Sequence, residues 1–134
     1  MESACTIRGG CLCGACRYET DAAPINVRAC HCRACQKATG APFYARVMVP
    51  LDAVRMEGPI GWFASSPEVR RGFCTRCGTT LFSERVAANA IGLTIGSLDD
   101  PAPFRPEAHI WVSRKQPWLQ LEDDVPHYAE GPPA

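Results

Sequence analysis

"GGCLCGAC", residues 9–16, sets Cys11 and Cys13 two positions apart and follows the second with Gly14. On a regular strand these side chains would project to one side about 7 Å apart, from a rise of ~3.3 Å per residue. Two sulfurs on one zinc sit closer, since each Zn–S bond is about 2.3 Å in tetrahedral geometry. The stretch therefore predicts a bent backbone, and Gly14 permits it, because glycine adopts positive φ without a Cβ clash. "FCTRCGTT", residues 73–80, repeats the logic with Cys74, Cys77 and Gly78. Both stretches are metal knuckles whose N–H groups are expected to turn toward the sulfurs. Two half-sites far apart in sequence make one centre of Cys11, Cys13, Cys74 and Cys77. Four thiolates leave no free position, so the centre is expected to hold a structural zinc that ties the first strands to the middle of the chain. The ligand set leaves about −2 net charge around Zn²⁺. Arg17, Arg71 and Arg76 lie near enough in sequence to offset it.

"CHCRAC", residues 30–35, is built differently. Cys30, Cys32 and Cys35 give three local thiolates, and no fourth cysteine has an obvious claim on the same ion. Three protein ligands with one exchangeable position is the arrangement of catalytic zinc. On this reading the second zinc is open, takes up a small-molecule thiol, lowers its pKa and holds it as thiolate. The alternative is a site closed by Cys16 or His31, which would make it a second structural zinc. His31 stands between two ligands, so its ring is expected to face away from the metal they share. Cys16 in "ACRYE" is expected to be a small buried hydrophobe. Arg33 and Lys37 are candidates to stabilise the anionic ligands or an acidic substrate. Cys5 is expected to be a free thiol on a terminal tail.

The rest of the composition narrows the classes. The chain has 134 residues, 46% of them hydrophobic, which suits one globular domain, residues 1–134 with a core over about 9–128. Nine cysteines in clusters, an odd count, fit metal binding better than a disulfide framework. Net charge is zero from 14 basic and 14 acidic residues, which argues against a dedicated nucleic-acid binder. No stretch is apolar enough for a membrane span. "MESACTIRGG" carries no basic start followed by an apolar run, so no secretory leader is expected and the location is read as cytoplasmic, where thiols stay reduced.

Short alternating or β-branched runs separated by turn residues fill the chain. Strands are expected in 15–20, 25–30, 43–50, in several runs between 54 and 85, in 90–98 and in 108–113, which makes the fold mainly β. "QKATGAP" (36–42) is expected to be one helical turn closed by Gly40. The proline-rich tail from Pro117 is expected to wrap the surface.

"GGCLCGACRYE", "CHCRACQKATGAPF", "FCTRCGTTLF" and "IGSLDDPAPFRPEAHIWVSRKQPWLQLEDDVPHY" together resemble the glutathione-dependent formaldehyde-activating enzyme family, which also includes centromere protein V. The likeness runs from Gly9 to Tyr128. It implies an Mss4-like fold of several small coiled antiparallel β-sheets stapled by zinc, with two zinc ions per chain. It implies a structural zinc at the positions matching Cys11, Cys13, Cys74 and Cys77, and a catalytic zinc at those matching Cys30, Cys32 and Cys35, where glutathione would meet the vacant position. The activity it implies is a carbon–sulfur lyase reaction, run in reverse as condensation of formaldehyde with glutathione. The rival expectation is a non-catalytic thiol carrier or a zinc-stabilised binding module. A chromatin binder is disfavoured by the neutral charge.

Outside the cysteines, His109 is a candidate proton shuttle or site-lining residue. Trp111 and Trp118 are expected in the core or pocket wall, and Thr39, Gly40 and Phe43 on the pocket floor. "LDDP" (98–101) and "EDD" (122–124) are expected to be a turn and a solvated face.

Overall fold

Alternation decides where the first strands lie. In β1 (Ile7–Gly10) and β2 (Arg17–Thr20) every second residue is buried, and the two pair antiparallel from Ile7 opposite Thr20 to Gly10 opposite Arg17. β5 (Val54–Glu57) completes a three-stranded sheet in the order β1-β2-β5. The other strands are β3 (Asn26–Cys30), β4 (Tyr44–Pro50), β6 (Ile60–Ala64), β7 (Arg70–Cys74), β8 (Thr80–Arg85), β9 (Ala90–Thr94) and β10 (Ala108–Ile110). They form a seven-stranded sheet in the order β10-β3-β4-β9-β8-β7-β6. All its neighbours pair antiparallel except β10 and β3, which run parallel. The mainly β expectation holds. The computed structural model of the chain describes residues 6–131, so Cys5 lies outside the described residues.

The central strands β4, β8 and β9 are buried along most of their length, as near-continuous apolar strands are when covered on both faces. Val47, Val49, Leu81, Phe82, Ile91 and Leu93 form the middle of the core, and Tyr18 from the small sheet meets Phe82 edge-on at 5.1 Å. Burying each such side chain contributes about 1.5–3 kcal/mol. Cys11, Cys16 and Cys74 belong to the same cluster. The small sheet is thus held to the large one by apolar packing in the neighbourhood of the first cysteine centre. Gly58, at φ 107, lies so close to the Ala15 carbonyl that a Cβ would collide with it.

The helix begins earlier than its sequence suggests. α1 spans Arg33–Thr39, not a single turn starting at Gln36, because Cys32 caps it: its sulfur accepts the N–H of Cys35 at 3.3 Å. Gly40 closes it as expected, at φ 70, donating its N–H to the Gln36 carbonyl at 2.8 Å. The tail is ordered against β10. The His109 N–H donates to the Pro126 carbonyl at 3.0 Å and the Tyr128 N–H to the His109 carbonyl at 2.8 Å. The N–H groups of Trp111, Val112 and Ser113 continue the pattern to Glu130, Tyr128 and Ala129.

Candidate functional site

Two tight turns bring the first four cysteines together. Gly14 and Gly78 take φ of 84° and 81°, with the Gly14 N–H on the Cys11 carbonyl and the Gly78 N–H on the Cys74 carbonyl. The sulfurs of Cys11, Cys13, Cys74 and Cys77 all lie within 4.8 Å of one another. Cys11 and Cys13 are 3.6 Å apart, and Cys13 and Cys74 3.8 Å. A tetrahedral zinc with bonds of about 2.3 Å has sulfur–sulfur edges of about 3.8 Å, so the donor set fits that ion. Backbone N–H groups turn to the sulfurs: Cys16 to Cys11 at 3.2 Å, and Arg76 and Cys77 to Cys74 at 3.3 and 3.4 Å. The Thr79 hydroxyl, 3.2 Å from the Cys77 sulfur, holds that thiol down to about 5. These donors stabilise anionic sulfur. Arg17 is committed elsewhere, forking onto Asp99 at 3.1 and 2.5 Å.

The second cluster is assembled within one β–α junction. Cys30 ends β3, Cys32 caps α1 and Cys35 lies in its first turn, and their sulfurs again fall within 4.8 Å of one another. Hydrogen bonds converging from Cys30 and Cys35 hold the Cys32 thiol well below its usual value, whereas Cys32 and Cys35 push Cys30 up. Three sulfurs sharing negative charge around one point are a soft donor set that fits zinc. No fourth Cys, His, Asp or Glu among the described residues joins them. Cys16 is buried in the main core, where loss of solvent pushes its thiol up to about 12. His31 is 0% exposed, and its Nε2 lies 2.9 Å from His109 Nδ1. Burial pushes His31 down to about 4, and the charge that His109 can carry pushes the same way.

One side of this cluster carries a cation that the sequence attached to the other. Arg71, on β7, places Nη2 3.6 Å from the Cys35 sulfur and its guanidinium carbon 5.8 Å from the Tyr44 ring centre. Arg71 also lines a cleft of about 470 Å³ with Lys37, Phe63, Ser65 and Phe73. Ala34 and Ala38 form the helical side of that cleft. Thr39 and Phe43 line a different groove, and Gly40 a third. The walls of the cleft at Arg71 come from α1, β6 and β7. Arg33 turns away from the cleft to the Gln36 side-chain oxygen. Trp111, at φ 59, packs against the three-cysteine cluster, whereas Trp118 is 66% exposed and not part of the core.

His109 uses both ring nitrogens. Nδ1 faces His31, and Nε2 is 2.8 Å from Asp123, whose other oxygen meets His127 Nε2 at 2.8 Å. Asp123 and His127 were not legible as site residues, because only the parallel bridge between His109 and His127 brings them together. Gln36 was also missed. It is buried and donates to the carbonyls of His31 at 2.6 Å and Arg114 at 2.9 Å, fixing α1 against the segment after β10.

Comparison with known proteins points one way. The model of the glutathione-dependent formaldehyde-activating enzyme family matches residues 6–114. An uncharacterized lyase of Schizosaccharomyces pombe is 34% identical over 74 residues, 55% of this chain and 54% of the relative. The chain thus spans about half the length of that curated relative. A Rhodobacter sphaeroides protein of known crystal structure matches with a TM-score of 0.60 at 18% identity, covering 90% of this chain and 98% of that one. At that identity the likeness speaks for the fold. No helix among the described residues is long and apolar enough to cross a membrane.

Proposed function

This chain belongs to the glutathione-dependent formaldehyde-activating enzyme family, and from that premise we propose that it is a zinc-dependent carbon–sulfur lyase joining a small acidic thiol to an aldehyde. The observation that carries the reading is the three-sulfur cluster of Cys30, Cys32 and Cys35, with no fourth protein ligand among the described residues and a cleft beside it. Cys11, Cys13, Cys74 and Cys77 would hold a structural zinc, and Cys30, Cys32 and Cys35 a catalytic one. Zinc bound by the three cysteines would lower the pKa of an incoming thiol and keep it as thiolate.

The chain's own residues supply binding and charge. Arg71 lies against the sulfur cluster and the cleft at once, so it is placed to hold anionic sulfur at the reacting end. Lys37, on the same cleft, is placed to meet a carboxylate further along the substrate. Phe63 and Phe73 give it apolar walls. This pairing of a thiol with carboxylates is the chemistry of glutathione. In the reaction the thiol gives up its proton, its sulfur forms a bond to the carbonyl carbon as the C=O π bond opens, and the oxygen takes up that proton; the reverse step returns thiol and aldehyde. A reducing compartment such as the cytoplasm suits these free thiols.

The test follows S-hydroxymethyl-thiol formation by NMR exchange with glutathione and formaldehyde, against the uncatalysed rate. Acceleration that disappears in Cys35→Ser supports the reading. Tight glutathione binding without acceleration would replace it with a thiol carrier, and neither binding nor acceleration would leave a zinc-stapled binding module.

A further inference from the structure

We propose that His109, Asp123 and His127 form a third metal site, for an exchangeable divalent transition ion, separate from both cysteine clusters. Their ligand atoms lie within 4.8 Å of one another. The grouping is built by the backbone. β10 and the tail run parallel with His109 opposite His127, tied by the bonds from the His109 N–H to Pro126 and from the Tyr128 N–H to His109. The two rings stand 5.1 Å apart at 83°, and their Nε2 atoms take opposite oxygens of the Asp123 carboxylate at 2.8 Å each.

The donor set is two imidazole nitrogens and one carboxylate. It suits zinc, iron(II), cobalt or nickel, and it leaves further coordination positions to water. It differs in kind from the all-sulfur clusters, so its occupant can differ too.

A second observation points to the same use. A ligating histidine commonly has its other ring nitrogen held by a partner that fixes the ring. His109 has one: its Nδ1 lies 2.9 Å from His31 Nε2, and the ring is 5% exposed. With an ion on Nε2, the Nδ1–H donates to His31. The other two ligands face water, with side chains 30% exposed at Asp123 and 31% at His127, so an ion reaches the site from solvent. Because Asp123 and His127 both lie in the segment after β10, an ion there also clasps that segment to the sheet.

The experiment uses protein already carrying zinc at its cysteines, titrated with cobalt(II) and followed by absorption and calorimetry. The expected result is one further equivalent, with a nitrogen–oxygen visible spectrum and no sulfur-to-cobalt charge-transfer band. His127→Ala and Asp123→Asn should weaken it at least about tenfold. His127→Gln, a smaller change of shape at a surface residue, carries the comparison if either variant loosens the fold by circular dichroism. No further equivalent in the wild type, or equal binding in the variants, overturns the proposal. The outcome does not depend on thiol turnover.

Discussion

Arg71 Nη2 stands 3.6 Å from the sulfur of Cys35, although Arg71 is only three residues from Cys74 of the other cluster. The antiparallel pairing of β7 with β8 and β6 fixes this, carrying the side chain toward α1. Arg71→Ala should lower kcat/KM for an acidic thiol about tenfold, roughly 1.4 kcal/mol. Metal content and melting temperature should stay near wild type. Arg71→Lys should recover part of the loss, since it keeps the charge but not the fork. Steady-state kinetics beside metal analysis checks all three.

The two cysteine clusters should fail differently. Cys11 and Cys13 precede β2 while Cys74 ends β7 and Cys77 sits in the turn before β8, so the first cluster joins distant parts of the chain. Structural zinc contributes about 10–16 kcal/mol of apparent binding energy in small domains, as much as a whole domain's stability. Cys77→Ser should therefore leave the chain largely unfolded, with loss of the thermal transition. Cys30, Cys32 and Cys35 span one junction. Cys32→Ala should lose one ion and all turnover but keep the fold, losing the ion's own stabilisation and a further ~1 kcal/mol for the cap. The cap alone corresponds to roughly 3–5 °C in melting temperature. Metal-to-protein ratio and calorimetry on both variants separate the cases.

The spacing of the cysteines and the strand alternation were readable because both are local: a glycine after a Cys pair, or a buried residue at every second position, needs no knowledge of partners. What the sequence hid depends on register. Arg71 looks like a counter-charge for Cys74 until β7 is paired. "EDD" looks like a solvated face until the parallel bridge at His109 and His127 sets Asp123 between two imidazoles. The start of α1 was hidden by chemistry: cysteine is not among the usual capping residues, and Cys32 caps through its sulfur. Trp111 in the left-handed region gave no sign either, since the turn it makes normally selects glycine or asparagine.

Gln36 is the buried polar joint of the site. It bonds two main-chain carbonyls, and its own side-chain oxygen accepts from Gln116 at 2.6 Å. Gln36→Leu removes the donors and leaves the carbonyls of His31 and Arg114 without this partner. An unsatisfied buried acceptor costs about 1–3 kcal/mol, so a loss of roughly 2–3 kcal/mol is expected in urea denaturation. Faster amide exchange should be concentrated in α1 and residues 112–116. A loss below about 0.5 kcal/mol would show that water replaces the side chain without strain.

Asp99 should make a small and pH-limited contribution. The Arg17 fork beside it holds its carboxyl below the ordinary 3.8. A depressed carboxyl adds stability above its unfolded pKa and loses it as pH falls through the folded one. Wild type should therefore exceed Asp99→Asn at about pH 6, and the gap should close as pH drops below about 4. The side chains are 43% and 48% exposed, so the gap should stay under about 1 kcal/mol and shrink further in ~1 M salt. Denaturation midpoints of the two proteins across that range test the direction. A gap that widened toward low pH would mean that Asp99 stabilises the fold through its protonated form and not through Arg17.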